Sequence, residues 1–290
     1  MRRLQKSETN RILGYPDDAR LLIINADDFG MCHATNAAIF RTLKEGVVCS
    51  TTLMVPCPWA LHAMHWLQEN PGVAFGVHLT AICDGPDYRW SPLTARDKVP
   101  SLVDETGYFY RFERMAEFFA QVNLQQLELE FRAQIEAVLA ANLKPTHLDW
   151  HSLRIGGRTD IPDVMLGLAK EYGLALRVMS RAVIDKVQGQ ALPTIDYDFL
   201  DSYSLAIALK SARFAQLLRE LPAGLSEWAV HPGLDSAELL AIEPESNHFR
   251  QTDLDFLLSD EARVVIREEG IIVLSYEPLQ AVWQANSRTS

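Results

Sequence analysis

Leu21-Leu22-Ile23-Ile24-Asn25-Ala26-Asp27-Asp28-Phe29-Gly30 is the stretch that decides how the rest of the chain is read. A short apolar run such as Leu21–Ile24 is what a strand buried on both faces looks like. Here it ends in two adjacent carboxylates. Neighbouring carboxylates cannot both ionise cheaply in a dry site, so the pair calls for either a bound cation or a shared proton.

Working outward, apolar runs of strand length recur at Ser50–Val55, Ala74–Thr80, Thr146–Trp150, Leu176–Met179, Leu225–Val230 and Ile271–Tyr276, separated by segments of helical period. With Leu21–Ala26 they make seven expected strands. Strands alternating with helices predict an α/β fold on a parallel sheet, and seven in this order predict a barrel-like closure. The clearest helix is expected over Leu124–Leu143, where Leu124, Leu127, Phe131, Ile135, Val138 and Leu139 line one face. Asn123 can cap its start and Lys144-Pro145 stops it. Gly30 stands alone where a dinucleotide-binding turn needs G-x-G-x-x-G, so no nicotinamide cofactor is expected. No repeat, low-complexity tract or linker divides the chain. It reads as a single domain over residues 1–290, with 1–19 a mobile N-terminal segment. The connection 81–122 is too long for a plain loop and carries Tyr88, Trp90, Tyr108, Phe109, Tyr110 and Phe112.

The 290 residues, 48% apolar and 22% charged, have the composition of an ordinary compact protein. A formal net charge of −11 argues against binding a nucleic-acid backbone and for a neutral or cationic small substrate. Met1–Asn10 is polar with no apolar stretch behind it, so neither a secretory signal nor a membrane span is expected, and the protein reads as cytoplasmic. Cys32, Cys49, Cys57 and Cys83 show no C-x-x-C spacing and read as reduced core thiols. A symmetric homodimer is compatible with this size.

Ligands of parallel α/β folds bind beyond the carboxyl ends of the strands. By that rule Asp27 and Asp28 end the Leu21 strand and His78 ends Ala74–Thr80. His147, Asp149 and His151 run along and past Thr146–Trp150, and His231 follows Leu225–Val230. Period two puts His147, Asp149 and His151 on one face. The same alternation would send Asp27 and Asp28 opposite ways, unless a turn starting at Phe29-Gly30 swings both towards the rim. One carboxylate and two imidazoles with open positions for water form a common hydrolytic metal site, which Asp28, His78 and His151 can supply. The donors alone leave magnesium, zinc, cobalt and iron open. His62 and His65 read as a solvated helix face, His33 as a helix start and His248 as exposed. The aromatic residues of 81–122 read chiefly as packing. Tyr108 among them, with Trp150 and Arg250, is retained as a candidate for substrate contact.

Four motifs then coincide: Asn-Ala-Asp-Asp-Phe-Gly at 25–30, Phe-Gly-Val-His-Leu-Thr at 75–80, Pro-Thr-His-Leu-Asp-Trp-His at 145–151 and His-Pro-Gly at 231–233. In their order and spacing the chain resembles the YdjC-like carbohydrate deacetylases, which include chitooligosaccharide deacetylases. Pro100-Ser101-Leu102-Val103-Asp104 with Gly107, and the closing Gly270–Tyr276, extend the resemblance over nearly the whole chain. It implies a TIM-barrel-like fold and metal-dependent removal of an N-acetyl group from an acetylated amino sugar or oligosaccharide. It further implies one divalent ion, magnesium or zinc first, on positions matching Asp28, His78 and His151. Asp27 would be the general base and His231 the general acid, whose carboxylate partner the sequence does not identify. One departure stands out. The family often continues past the metal histidine with further histidines, whereas His151 is followed by Ser152-Leu153-Arg154-Ile155-Gly156-Gly157. That keeps two rivals open, a catalytically altered sugar- or metal-binding protein and a metal-dependent hydrolase of another bond.

Overall fold

The computed structural model describes residues 7–152 and 158–287. Its strands are β1 (Arg20–Phe29), β2 (Ser50–Leu53), β3 (Phe75–Leu79), β4 (Ile82–Cys83), β5 (Tyr110–Arg111), β6 (His147–Trp150), β7 (Ala175–Leu176), β8 (Leu200–Asp201), β9 (Gly224–Val230) and β10 (Ile272–Val273). Among the described residues, all but β4 and β5 form one sheet in the order β7-β6-β3-β2-β1-β9-β8, with β10 beside the first half of β1. Every pairing in that sheet is parallel. Helices cover its outer face, and β7 and β8 end the order without pairing to each other, so the sheet is an irregular, TIM-barrel-like half-barrel. β1 is central, and Leu21 to Phe29 are all buried, as a strand covered on both faces requires.

The expected strands at 176–179 and 271–276 shrink to two residues each, and β8 is an addition. A two-residue strand is held by its neighbours' ladders rather than by a pattern of its own, so it leaves no period to read. The helix expected over 124–143 spans Leu124–Ala140. Asn123 caps it as expected, its Oδ1 accepting from the backbone N–H groups of Gln125 at 2.9 Å and Gln126 at 3.2 Å. It stops short of Lys144-Pro145 because Asn142 turns the chain with φ 58°, and Leu139 is exposed rather than part of the buried face. Two polar residues of that face, Glu130 and Gln134, are fully buried. Gln134 holds Thr80 by both its amide N–H and its carbonyl, at 2.9 and 2.8 Å, and so anchors the chain just past His78.

Of the segment expected to be mobile, Glu8–Leu13 is a helix on the barrel. Thr9 and Asn10 are buried, and Asn10 Nδ2 donates to the carbonyls of Pro16 and Ala19 at 2.9 Å each. The connection 81–122 carries β4, β5 and the helix Met115–Gln121. Its aromatic residues mostly pack, as read: Trp90 and Phe109 are buried, and Trp90 Nε1 donates to the Ile82 carbonyl at 2.9 Å. Among the described residues no helix is long and apolar enough to cross a membrane.

Candidate active site

The carboxyl ends of the strands surround a cleft of about 450 Å³, and Asp27, Asp28, His78, His151 and His231 all line it. The two aspartates reach it together through a bulge, followed by the turn expected at Phe29-Gly30, where the Met31 N–H donates to the Asp28 carbonyl at 3.0 Å. Ala26 pairs with Thr51 and Phe29 with Leu53, so Asp27 and Asp28 together oppose Thr52 alone. Asp28 takes up the extra residue with φ 68°, a left-handed conformation that Asp tolerates better than most residues. This breaks the alternation that would have parted the two side chains.

Asp28 Oδ1 lies 3.1 Å from His151 Nδ1 and 3.5 Å from His78 Nε2, and its Oδ2 accepts from Arg250 Nη2 at 2.7 Å. Burial alone would raise this carboxyl. Arg250, with His151 and His78, overrides burial and holds it well below the usual carboxylate range. The far nitrogen of each imidazole meets another carboxylate, His78 Nδ1 with Asp149 Oδ1 at 2.7 Å and His151 Nε2 with Asp84 Oδ1 at 2.8 Å. Burial would lower both histidines. Asp149, Asp28 and Asp27 instead raise His78 to about 9, and Asp84 with Asp28 raises His151 to about 10. Such surplus negative charge around two imidazoles is the setting a cation relieves.

Donor atoms of Asp28, His78 and His151 lie within 4.8 Å of one another, and carboxylates behind both rings orient them as metal-binding histidines require. These residues fit a divalent ion. Asp27, His78 and Asp149 meet the same distance criterion. Asp27, however, has both oxygens on Arg177, whereas Asp28 gives Arg250 only Oδ2 and keeps Oδ1 beside the two imidazoles, which makes the first set the better cradle.

Asp27 belongs to a different network. Arg177 Nη1 and Nη2 donate to its two oxygens at 2.7 and 2.9 Å, and Asn25 Nδ2 donates to Oδ1 at 2.8 Å. Against the upward push of burial, Arg177 together with His78 and His231 holds Asp27 well below its ordinary value. Arg177 is itself buried. It also pairs with Asp149 at 2.7 Å and Glu227 at 2.8 Å, and Glu227 accepts from the Tyr276 hydroxyl at 2.5 Å. His231 Nε2 lies 3.9 Å from Asp27 Oδ2, the oxygen that His78 Nε2 approaches at 4.0 Å.

Of the residues expected to meet substrate, Trp150 and Arg250 line the cleft and Tyr108 does not. The Tyr108 ring is exposed and lies under the guanidinium groups of Arg89 and Arg96, whereas Phe112 of the same connection reaches the cleft. Arg250 is almost wholly buried and bound to Asp28 and Glu243. His147 lies below the rim, stacked on Tyr276 with ring centroids 3.6 Å apart. His62 meets the side chain of Asn36 at 3.1 Å, and His248 is exposed. Of the departure at 152–157, Ser152 lines the cleft with its Oγ donating to Asp84 Oδ1 at 3.3 Å, and 153–157 lie outside the described residues. Sequence reasoning missed Arg177 and Asp84. A lone arginine inside the apolar run Leu176–Met179 was a signal for the first, because a buried charge demands partners. Asp84 carried none beyond the length of its loop.

With this geometry in hand, comparison with known proteins is informative. A profile of the family described as "YdjC-like protein" matches residues 21–268. A carbohydrate deacetylase of Enterococcus faecalis V583 is 34% identical over 267 residues, 89% of this chain and 97% of that protein. A chitooligosaccharide deacetylase of Serratia marcescens is 29% identical over 265 residues, 90% of this chain and 99% of its own. A crystal structure from E. faecalis V583, of a candidate cellobiose-phosphate cleavage protein, superposes with TM-score 0.79 at 33% identity, covering 90% of this chain and 99% of that one. The chain therefore belongs to the YdjC-like family.

Proposed function

We propose that the protein is a metal-dependent hydrolase that removes the N-acetyl group from an acetylated amino sugar or oligosaccharide. The observation that carries this reading is the division of the two aspartates between networks, Asp28 among imidazoles and Asp27 on a guanidinium. The deacetylase relatives support the substrate class. A divalent ion on Asp28, His78 and His151 would supply a Lewis acid for the amide carbonyl and lower the pKa of water beside it.

The remaining work falls to the chain. Asp27, kept ionised by Arg177, is the base that takes a proton from the attacking water, a role typically worth about 10²- to 10⁴-fold. Its two bonds to Arg177 fix where the accepting oxygen points, at the expense of basicity. His231, whose Nε2 lies 3.9 Å from Asp27 Oδ2, is the acid that protonates the departing amine. Trp150 and Phe112 offer apolar surface along the cleft, against which a sugar ring can stack.

Acetate release from N-acetylated chitooligosaccharides, measured on protein loaded with magnesium or zinc, tests the reaction. A metal-loaded protein that binds such sugars and releases no acetate would identify the non-catalytic binder instead. Asp28→Asn should lose metal, and Asp27→Asn should keep metal and lose turnover. The reverse pattern would exchange the two roles.

A further inference from the structure

The acid His231 is held by a buried chain of groups that reaches away from the cleft. Its Nδ1 lies 2.9 Å from Ser202 Oγ, and Ser202 Oγ donates to Asp253 Oδ2 at 2.7 Å. The same Asp253 oxygen accepts from the His231 backbone N–H at 2.8 Å, while its Oδ1 pairs with Lys210 Nζ at 2.5 Å. Ser202, Asp253 and Lys210 are all fully buried. They come from three separate places: the short turn after β8, the helix Asn247–Leu258 and the first residue of the helix Lys210–Arg219.

Counting protons fixes the direction of this chain. A serine hydroxyl has one hydrogen to give, and an ionised carboxylate can only accept. With the Ser202 hydrogen committed to Asp253, Ser202 Oγ can meet His231 Nδ1 only as an acceptor. Nδ1 therefore keeps its hydrogen in both charge states of the ring. The transferable proton then belongs to Nε2, the atom 3.9 Å from Asp27 and facing the cleft. Asp201 Oδ1, at 4.0 Å from Nδ1, lies beyond hydrogen-bond reach and is engaged with the Tyr203 backbone N–H at 2.9 Å. The Tyr203 ring packs edge-on against the imidazole, with centroids 4.6 Å apart, and closes its remaining side.

The geometry points to Ser202 as a positioning residue for the proposed reaction: it relays the buried Asp253–Lys210 ion pair to His231, sets the Nδ1–H tautomer and aims Nε2 at the cleft. This rests on the deacetylase reading for its effect on rate, but not for its effect on the ring. Lys210 supplies the charge that lets Asp253 stay ionised in a dry place without recruiting the histidine proton.

The test uses the full-length protein with ¹⁵N-labelled histidine, the His231 signals being assigned by their loss in His231→Gln. At neutral pH the ring nitrogens should report an Nδ1–H form in the wild type and a mixture of tautomers in Ser202→Ala. In the acetate-release assay Ser202→Ala should lower kcat about tenfold with metal content unchanged, and Ser202→Thr, which keeps the hydroxyl, should restore both tautomer and rate. An Nε2–H tautomer in the wild type, an unchanged tautomer in Ser202→Ala or a Ser202→Thr variant as impaired as Ser202→Ala would overturn the relay. A wild type that shows the Nδ1–H ring yet releases no acetate would overturn the deacetylase reading and leave the relay standing.

Discussion

Metal binding by this site should be steeply coupled to pH, because the imidazoles that would ligate the ion hold protons in its absence. An imidazole must shed its proton to bind a metal. His78 is raised to about 9 and His151 to about 10. Between pH 7 and 8 both are then almost fully protonated in the metal-free protein, and binding one ion releases about two protons. The association constant for zinc should therefore rise about a hundredfold per pH unit across that interval. Imidazoles at the ordinary value near 6.5 would be about nine-tenths neutral at pH 7.5, and the constant would change by less than about twofold. Titration calorimetry in buffers of differing ionisation enthalpy counts the protons directly, and chelator competition gives the slope. The metal-free protein should show the opposite trend in stability. Groups whose folded pKa is raised contribute fully below 6.5 and lose that contribution as pH climbs to 9 and 10, a loss of about 3 kcal/mol for His78 alone. In Asp149→Asn, His78 loses its nearest carboxylate, and proton release should drop towards one. Release near zero in the wild type at pH 7.5 would refute the argument, since it would mean that the surrounding carboxylates do not hold the imidazoles charged.

Three further outcomes follow from contacts already described. Arg177→Met strips Asp27, Asp149 and Glu227 of their shared cation and should cost about 3–5 kcal/mol in urea unfolding at pH 7. Asp27, depressed in the wild type, stabilises fully above its unfolded value of 3.8 and loses that contribution as pH falls below it, so the gap between the two proteins should narrow between pH 7 and pH 3. An equal gap at both pH values would argue against this charge network. Trp150→Ala should raise KM for an acetylated oligosaccharide, whereas Tyr108→Ala should leave kcat/KM within about twofold, since only the first lines the cleft. Equal losses from both would mean that the connection 81–122 closes over the substrate. At Gly76→Ala the new methyl group would sit 2.7 Å from both His147 Nε2 and the His147 carbonyl oxygen, with the ring blocked behind by Tyr276. Unfolding should show a loss of about 1–3 kcal/mol, and an unaltered stability would mean that β3 and β6 can part without cost.

Much of the fold was legible because its longer strands are buried on both faces. β1, β3 and β9 are buried almost throughout and mostly apolar, and such runs stand out against helical segments of period 3.6. β7 and β10 are shorter than expected and β8 went unread, because two-residue pairings owe their existence to neighbouring ladders. The N-terminal helix leaves no such pattern, because its anchors, Thr9 and Asn10, are polar residues satisfied by the backbone of Thr194 and by the carbonyls of Pro16 and Ala19 rather than by an apolar stripe.

The site divides along the same line. By itself, the sequence determined which strands deliver carboxylates and imidazoles to one rim, since a strand's end and its two-residue alternation are local properties. Asp27, Asp28, His78, His151 and His231 were named on that basis and on the family resemblance, and they do converge on one cleft. The resemblance implied different roles for the two aspartates, and tertiary structure alone shows the partners that set them apart. A bulge places both on the rim, Arg177 claims one and the histidines with Arg250 claim the other. It also supplied Asp84 behind His151, and Ser202 with Asp253 behind His231. These partners lie 22 or more residues away from the groups they serve. A carboxylate's environment depends on what the fold packs against it, and separation along the chain carries no record of that.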